Sequence, residues 1–206
     1  MRSTKFDDLI SGTIASLGAA AGAYDIMKND VDLPTTFHKG GLQIYRVQQA
    51  LQAVVNIMKW RDLAGDIMQI IPSLEDSSKK AKALEEILSE TASQPESSRK
   101  NQYVTAVRNK GPENTIEALL LGMMRNTVVL AEDEAIKGAV EEQVRGLHGA
   151  MEELSAMEPS VPVERGESRF SHFGSGSQFN NAGSGKQFNN TGSGRQYQAE
   201  VMHFKD

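Results

Sequence analysis

The sequence contains no cysteine, which excludes disulfide frameworks, thiolate zinc sites and cysteine nucleophiles. It also has little excess charge, since the formal net charge is −5 and no long run carries one sign. Nucleic-acid binding needs a concentrated basic surface, so we expect no nucleic-acid partner. No two histidines stand four residues apart on one predicted helix; the four are His38, His148, His172 and His203. We therefore expect no metal site and no cofactor.

The chain also lacks a convincing enzyme motif. Residues 183–186 read GSGK, like the end of a phosphate-binding loop. That loop needs a glycine where Asn180 stands and a hydroxyl where Gln187 stands. The acidic pairs at 85–86 and 141–142 fit helix surfaces, because no neighbour in the sequence desolvates or partners them. We predict no catalytic residue and expect that the protein is not an enzyme.

A complete secretory signal is lacking too. Arg2 and Lys5 precede an apolar stretch, but Asp7 and Asp8 interrupt it where a signal's apolar core should begin. We expect a cytoplasmic protein.

Residues 1–156 carry apolar side chains at helical spacing. Phe6, Ile10, Ile14 and Leu17 begin one stripe, and Leu42, Tyr45, Val47 and Leu51 begin a second. Later apolar stripes follow the same period, with Val129 in the fifth and Leu154 near the end of the last. The pattern predicts an all-α helical bundle of five to seven helices without a sheet.

Proline and glycine divide this helical region into segments. Leu33-Pro34 followed by Thr35 predicts the end of one helix and the cap of the next. Pro72 predicts the end of another helix, and Gly111-Pro112 predicts a break before the helix that follows. Residues 157–168 contain two prolines and predict a linker to a C-terminal repeat region, residues 169–206.

The C-terminal region repeats with a period of nine residues. Residues 174–182 read GSGSQFNNA, 183–191 read GSGKQFNNT, and 192–200 read GSGRQYQAE. One aromatic residue occupies the same place in each unit, and a degenerate unit precedes them: the column is Phe170, Phe179, Phe188 and Tyr197. Lys186 shares its column with Ser177 and Arg195, which indicates a position facing solvent.

A short fixed period is typical of β-solenoids and cross-β stacks. Glycine suits the corners, and stacking equivalent strands about 4.8 Å apart aligns amide side chains into ladders. We predict a region that is disordered in the monomer and forms a cross-β or β-solenoid amyloid on assembly with other copies. The residues predicted to form this motif are Gly174, Gly176, Gln178, Phe179, Asn180, Asn181, Gly183, Gly185, Gln187, Phe188, Asn189, Asn190, Gly192, Gly194, Gln196 and Tyr197. Calcium-binding nonapeptide repeats need an aspartate in each unit, and the three clear units have none. A flexible Gly/Ser/Asn tail is the remaining alternative.

Two resemblances follow from these residues. The GSGxQFNN-like units resemble the prion-forming σ motif of filamentous fungi. The helical region resembles the SesA-type domain at the N-terminus of fungal NACHT and related NTPase receptors. The residues that carry the second resemblance include Leu33-Pro34, Phe37, Leu42, Val47, Leu51, Tyr103, Val107-Arg108 and the segment from Gly111 to Ala131.

The resemblance implies an effector in fungal amyloid signalling, acting in heterokaryon incompatibility and programmed cell death. A NOD-like NACHT receptor with a similar motif would template the tail, and the clustered helical domain would then act. The implied partners are other copies of the chain and that receptor. The alternative is a non-enzymatic helical adaptor with a flexible tail.

The first predicted helix offers a hypothesis for the step after clustering. Residues 9–24 are uncharged, and their helical length of about 24 Å is short of the hydrocarbon core, about 30 Å. Gly18 and Gly22 form a GxxxG pattern, which is typical of close helix packing in membranes. We predict contact with a membrane after activation, with relocation to the plasma membrane, through Leu9, Ile10, Ile14, Leu17, Gly18 and Gly22. The alternative is that the two glycines allow close packing inside a soluble bundle.

Overall fold

The computed structural model describes residues 4–60, 67–131 and 137–162. Six α-helices lie wholly within these ranges: α1 Thr4–Met27, α2 Thr35–Trp60, α3 Ile67–Ala92, α4 Glu96–Lys110, α5 Ile116–Ala131 and α6 Glu141–Ser155. A 3-10 turn, Pro112–Asn114, precedes α5, and the described residues contain no strand. The predicted all-α helical bundle is therefore confirmed. The chain divides into two units after Val163, inside the segment predicted as a linker.

The core lies between α3 and its neighbours. α3 packs against α1, α4 and α5, and α2 packs against α1, α5 and α6. Each helix contributes residues spaced three and four apart, which therefore share one face. On α1 these include Ile10, Leu17 and Tyr24, all buried. Burial of such faces supplies most of the stability of helices in proteins.

Two glycines bring α2 close to its neighbours. A Cβ on Gly41 would lie 2.1 Å from the ring of Tyr24, and one on Gly40 would lie 3.2 Å from Ile116. The absence of side chains here lets Tyr24 of α1 lie against the α2 backbone. Its hydroxyl donates to the carbonyl of His38 over 3.1 Å.

The predicted helix boundaries at 34–35 and at 111–112 are confirmed. α2 begins at Thr35, directly after Pro34. Gly111 has a φ of 109°, a conformation that glycine adopts without steric cost. Its N–H donates to the carbonyl of Val107 and ends α4.

The structure differs from the predicted pattern at three residues. Pro72 lies inside α3 and does not end it, and buried Ile71 and Leu74 hold the helix against the core on either side. Leu42 is 56 % exposed, because Gly40 and Gly41 occupy the face of α2 that meets α1 and α5. Val129 is 47 % exposed, and its neighbour Leu130 is buried in its place.

Candidate functional site

The predicted site residues fall into two groups. The amyloid-motif residues, from Gly174 to Tyr197, all lie outside the described residues, so they remain a prediction from the sequence. The six candidate residues for membrane contact or helix packing all lie on α1. Ile10 and Leu17 are buried, and Leu9 and Ile14 pack against the core at its edge. Only Gly22 of the six is exposed.

Between Asp8 and Asp25, the outer face of α1 carries no charged residue. We use this term for five exposed residues along the helix: Ser11, Ala15, Ala19, Gly22 and Ile26. They are spaced three or four apart and therefore form one line along the helix surface. Four of the five are small, and Ile26 is 62 % exposed.

The length of α1 exceeds that of its uncharged run. Within the described ranges, its segment Lys5–Met27 is long and apolar enough to cross a membrane by length and composition. In the bundle, 44 % of the most apolar 18-residue stretch of this segment is buried. The core helix of a soluble protein meets the same criterion of length and composition. The helix thus presents one face to the core and another, uncharged between Asp8 and Asp25, to solvent.

The two glycines of the GxxxG pattern are not required by packing inside the bundle. A Cβ on Gly22 would meet nothing within 4 Å. One on Gly18 would lie 3.4 Å from Nε2 of Gln48, an ordinary van der Waals contact. The contrast with Gly41, where a Cβ has no room, shows which glycine the bundle requires.

A second group of functional interest was not anticipated by the sequence analysis. Glu117, in the first turn of α5, is buried although it is a carboxylate. It accepts hydrogen bonds from the N–H of Ser160 over 2.9 Å and from its hydroxyl over 2.7 Å. Ser160 belongs to the segment predicted as a linker, and the described part of that segment, residues 157–162, lies against the helical bundle. The available signal was a lone glutamate at the start of a helix whose other side chains are mostly apolar.

Tyr103 of α4 joins this group. Its hydroxyl lies 2.6 Å from Oγ of Ser160 and accepts the N–H of Ile116 over 3.2 Å. Burial raises the pKa of Tyr103 above its ordinary range, so the hydroxyl keeps its proton and can donate. Its ring packs edge-on against that of Phe37, with 4.9 Å between the ring centroids. The ring of Phe37 in turn lies near that of Tyr24 of α1, with 6.1 Å between the centroids.

The α1–α2 junction carries a polar network of its own. The carboxylate of Asp30 is almost completely buried and lies 3.5 Å from the guanidinium of Arg99 on α4. Its backbone carbonyl lies 2.8 Å from Nε2 of His38. On the surface nearby, Tyr45 donates to Asp25 over 2.7 Å. This bond and a second from Lys28 hold the pKa of Asp25 below its usual value.

These groups lie between helices and contribute to the stability of the bundle. In the part of the chain that the structure describes, no three histidine or acidic side chains lie together as metal ligands would. The buried carboxylates of Asp30 and Glu117 contact an arginine and a serine on other segments, so each joins separate elements of the fold.

Models of two protein families match the chain, one in the helical region and one in the repeat region. The model of the SesA domain, described as the N-terminal domain on NACHT NTPases and P-loop NTPases, matches residues 10–130. The model described as the sigma domain on NACHT NTPases matches residues 167–205. No curated protein and no solved structure matches the chain. The two matches link the protein to NACHT NTPase signalling systems. Because the first covers more than half of its length, the chain belongs to the SesA family of N-terminal domains.

Proposed function

We propose that the chain is an effector that responds to a NACHT NTPase receptor through amyloid templating. A similar motif on the receptor would seed the C-terminal repeats, and their assembly would bring helical domains together. The observation that carries the proposal is the presence of a SesA match and a sigma match in one chain. The in-register aromatic and glutamine columns of the repeats supply a physical basis, since such columns align when identical units stack.

The full-length chain tests templating directly. Preformed fibrils of a peptide with residues 165–206 are added to the soluble protein, with a scrambled peptide of the same composition as the control. We expect the native fibrils to remove the lag phase of thioflavin binding and to yield the cross-β reflection at about 4.7 Å. A chain that stays soluble at high concentration with either peptide would leave the helical adaptor with a passive tail as the better account.

The proposed consequence of clustering is action at a membrane, in programmed cell death and heterokaryon incompatibility. The outer face of α1 supports it, because its small uncharged residues are exposed in the bundle and a Cβ on Gly22 would meet no atom within 4 Å. Small residues of this kind allow helices to pack closely in lipid. Such a function proceeds by association and needs no catalytic step. It also implies a protein that is cytoplasmic at rest and moves to the plasma membrane on activation.

Leakage of dye-filled vesicles of phosphatidylcholine and phosphatidylserine tests the membrane step. Ala19→Glu places a charge on the outer face of α1, whereas the matched Ala139→Glu places it on another exposed position. A charge at Leu17 would not separate the two effects, because Leu17 is buried and the bundle would unfold. We expect seeded wild type and Ala139→Glu to release dye and Ala19→Glu to release far less. Equal leakage from all three would exclude α1 as the membrane contact.

A further inference from the structure

The segment between α6 and the repeat region is docked on the bundle. We call residues 157–162 the strap. Its contacts reach three helices, since Glu158 accepts a hydrogen bond from Thr36 of α2 over 2.7 Å and Ser160 contacts α4 and α5. Val161 is buried, and Met157 packs at the edge of the core. The strap is therefore part of the folded unit.

The hydrogen bonds at Ser160 form a directed chain. The Ser160 hydroxyl donates to Glu117, so its oxygen is left to accept from the hydroxyl of Tyr103. The oxygen of Tyr103 in turn accepts the N–H of Ile116. Every donor in this series of hydrogen bonds has an acceptor, and Glu117 accepts from both the N–H and the hydroxyl of Ser160. Ser160 is therefore the residue that attaches the strap to α5.

The attachment is suited to reversible opening. A buried carboxylate is costly unless it is hydrogen-bonded, and Glu117 gains further support from the N-terminal turn of α5. When the strap leaves, water can replace both Ser160 donors at the carboxylate. Because hydrogen bonds to water replace those to protein, the main cost of opening is the exposure of Val161 and Met157, two apolar side chains against the many that a helix buries.

Assembly of the repeats would place a load on the strap. A folded unit of this size is about 40 Å across, whereas three stacked repeats extend about 14 Å along a fibril axis. About three bundles must then fit along a length of fibril that equals the width of one bundle. Identical tails also leave every molecule on the same side of the fibril, so the bundles crowd one another there. The eleven residues between Pro162 and Gly174 reach at most about 40 Å, and the six strap residues would add about 20 Å.

We propose that the strap is a latch, closed by Glu117 on Ser160, which opens when the repeats assemble and lengthens the tether between bundle and fibril. This inference rests on the assembly proposed above. Opening would also remove the strap from Tyr103, whose ring contacts Phe37 of α2. Phe37 in turn contacts Tyr24 of α1.

The amide of Ser160 is a direct probe, because its N–H donates to Glu117 when the latch is closed. Hydrogen exchange of the full-length chain is measured as soluble protein and as seeded fibrils, with fibre formation checked separately by the cross-β reflection. We expect exchange at Ser160 to accelerate by on the order of tenfold or more in the fibrils. A second variant carries about twelve added Gly/Ser residues after Glu164, which lengthens the tether without the strap. In its fibrils, Ser160 should stay protected.

Hydrogen exchange at Ser160 is also measured on soluble variants in which a member of the latch is replaced. Glu117→Gln should accelerate exchange at Ser160, whereas the matched Glu113→Gln, at an exposed position nearby, should not. If Glu117→Gln disturbs the fold, Ser160→Ala and Tyr103→Phe test the chain of bonds from its other members, through exchange of the amide of residue 160. Wild-type fibrils with Ser160 still protected would overturn the latch and leave templating intact. Absence of fibrils would instead overturn templating, and the latch with it.

Discussion

The helical region and the repeat region satisfy one physical requirement in different ways. In the described parts of residues 4–162, apolar side chains from α1 to α6 bury one another within a single chain. The repeats have one aromatic residue in nine, which is too little to form a core that offsets the entropy of ordering them. In the amyloid proposed above, their aromatic and glutamine columns would find partners in further copies of the unit. The helical region thus buries its own apolar side chains, whereas the proposed order of the repeats would depend on concentration and on a template.

We expect the largest effect when the aromatic column of the repeats is removed. Burial of each phenylalanine contributes about 1.5–3 kcal/mol, so Phe179→Ala with Phe188→Ala should raise the concentration needed for assembly at least about 100-fold. Sedimentation of the full-length chain after seeding measures that concentration. Lys186→Ser is the control, because its column already contains serine, and it should assemble like wild type. Equal assembly of the double variant would show that the columns do not drive stacking.

The next effect concerns the core of the helical region. Leu17 is completely buried on α1, whereas Ile26, on the same helix, is 62 % exposed. Leu17→Ala should lower the free energy of unfolding by about 2–5 kcal/mol, and Ile26→Ala by less than about 0.5 kcal/mol. Urea denaturation followed by circular dichroism measures both. Similar losses from the two variants would contradict the two-faced description of α1.

A smaller pair of effects separates two glycines. Gly41→Ala places a Cβ 2.1 Å from the ring of Tyr24, and the forced displacement should cost about 1–3 kcal/mol. Gly22→Ala meets no atom within 4 Å and should stabilise the helix by about 0.5–1 kcal/mol. The same denaturation experiment applies. A loss of stability in Gly22→Ala would mean that this glycine is needed by the soluble bundle after all.

The smallest effect is a pH dependence at the surface. The hydrogen bond to Asp25 raises the pKa of Tyr45 to about 12 from an ordinary value of 10.0. A raised folded-state pKa means that the stabilisation is complete below pH 10.0 and disappears as the pH rises through about 12. The same bond lowers the pKa of Asp25, so its contribution also falls as acid protonates the carboxylate. The stability advantage of wild type over Tyr45→Phe should therefore shrink between about pH 10 and pH 12. A constant difference would exclude the pairing.

The sequence predicted the helices and their main boundaries because these depend on neighbouring residues. Apolar spacing along α1 and α5, Pro34 before Thr35, and the Gly111-Pro112 break are all local signals. The position of Leu42 was predicted wrongly, since its exposure follows from the close approach of Tyr24 to Gly41. Pro72 was misjudged because burial of its neighbours offsets one missing backbone hydrogen bond.

By itself, the sequence determined that the chain has a helical part and a nonapeptide repeat, since composition and period are local properties. Only the tertiary structure decided which face of α1 reaches solvent, and that the strap is docked. The bonds that hold the strap join residues 43 and 122 positions apart, Glu117 to Ser160 and Thr36 to Glu158. No periodic pattern signals such pairs, because each depends on how several helices pack around one buried polar group.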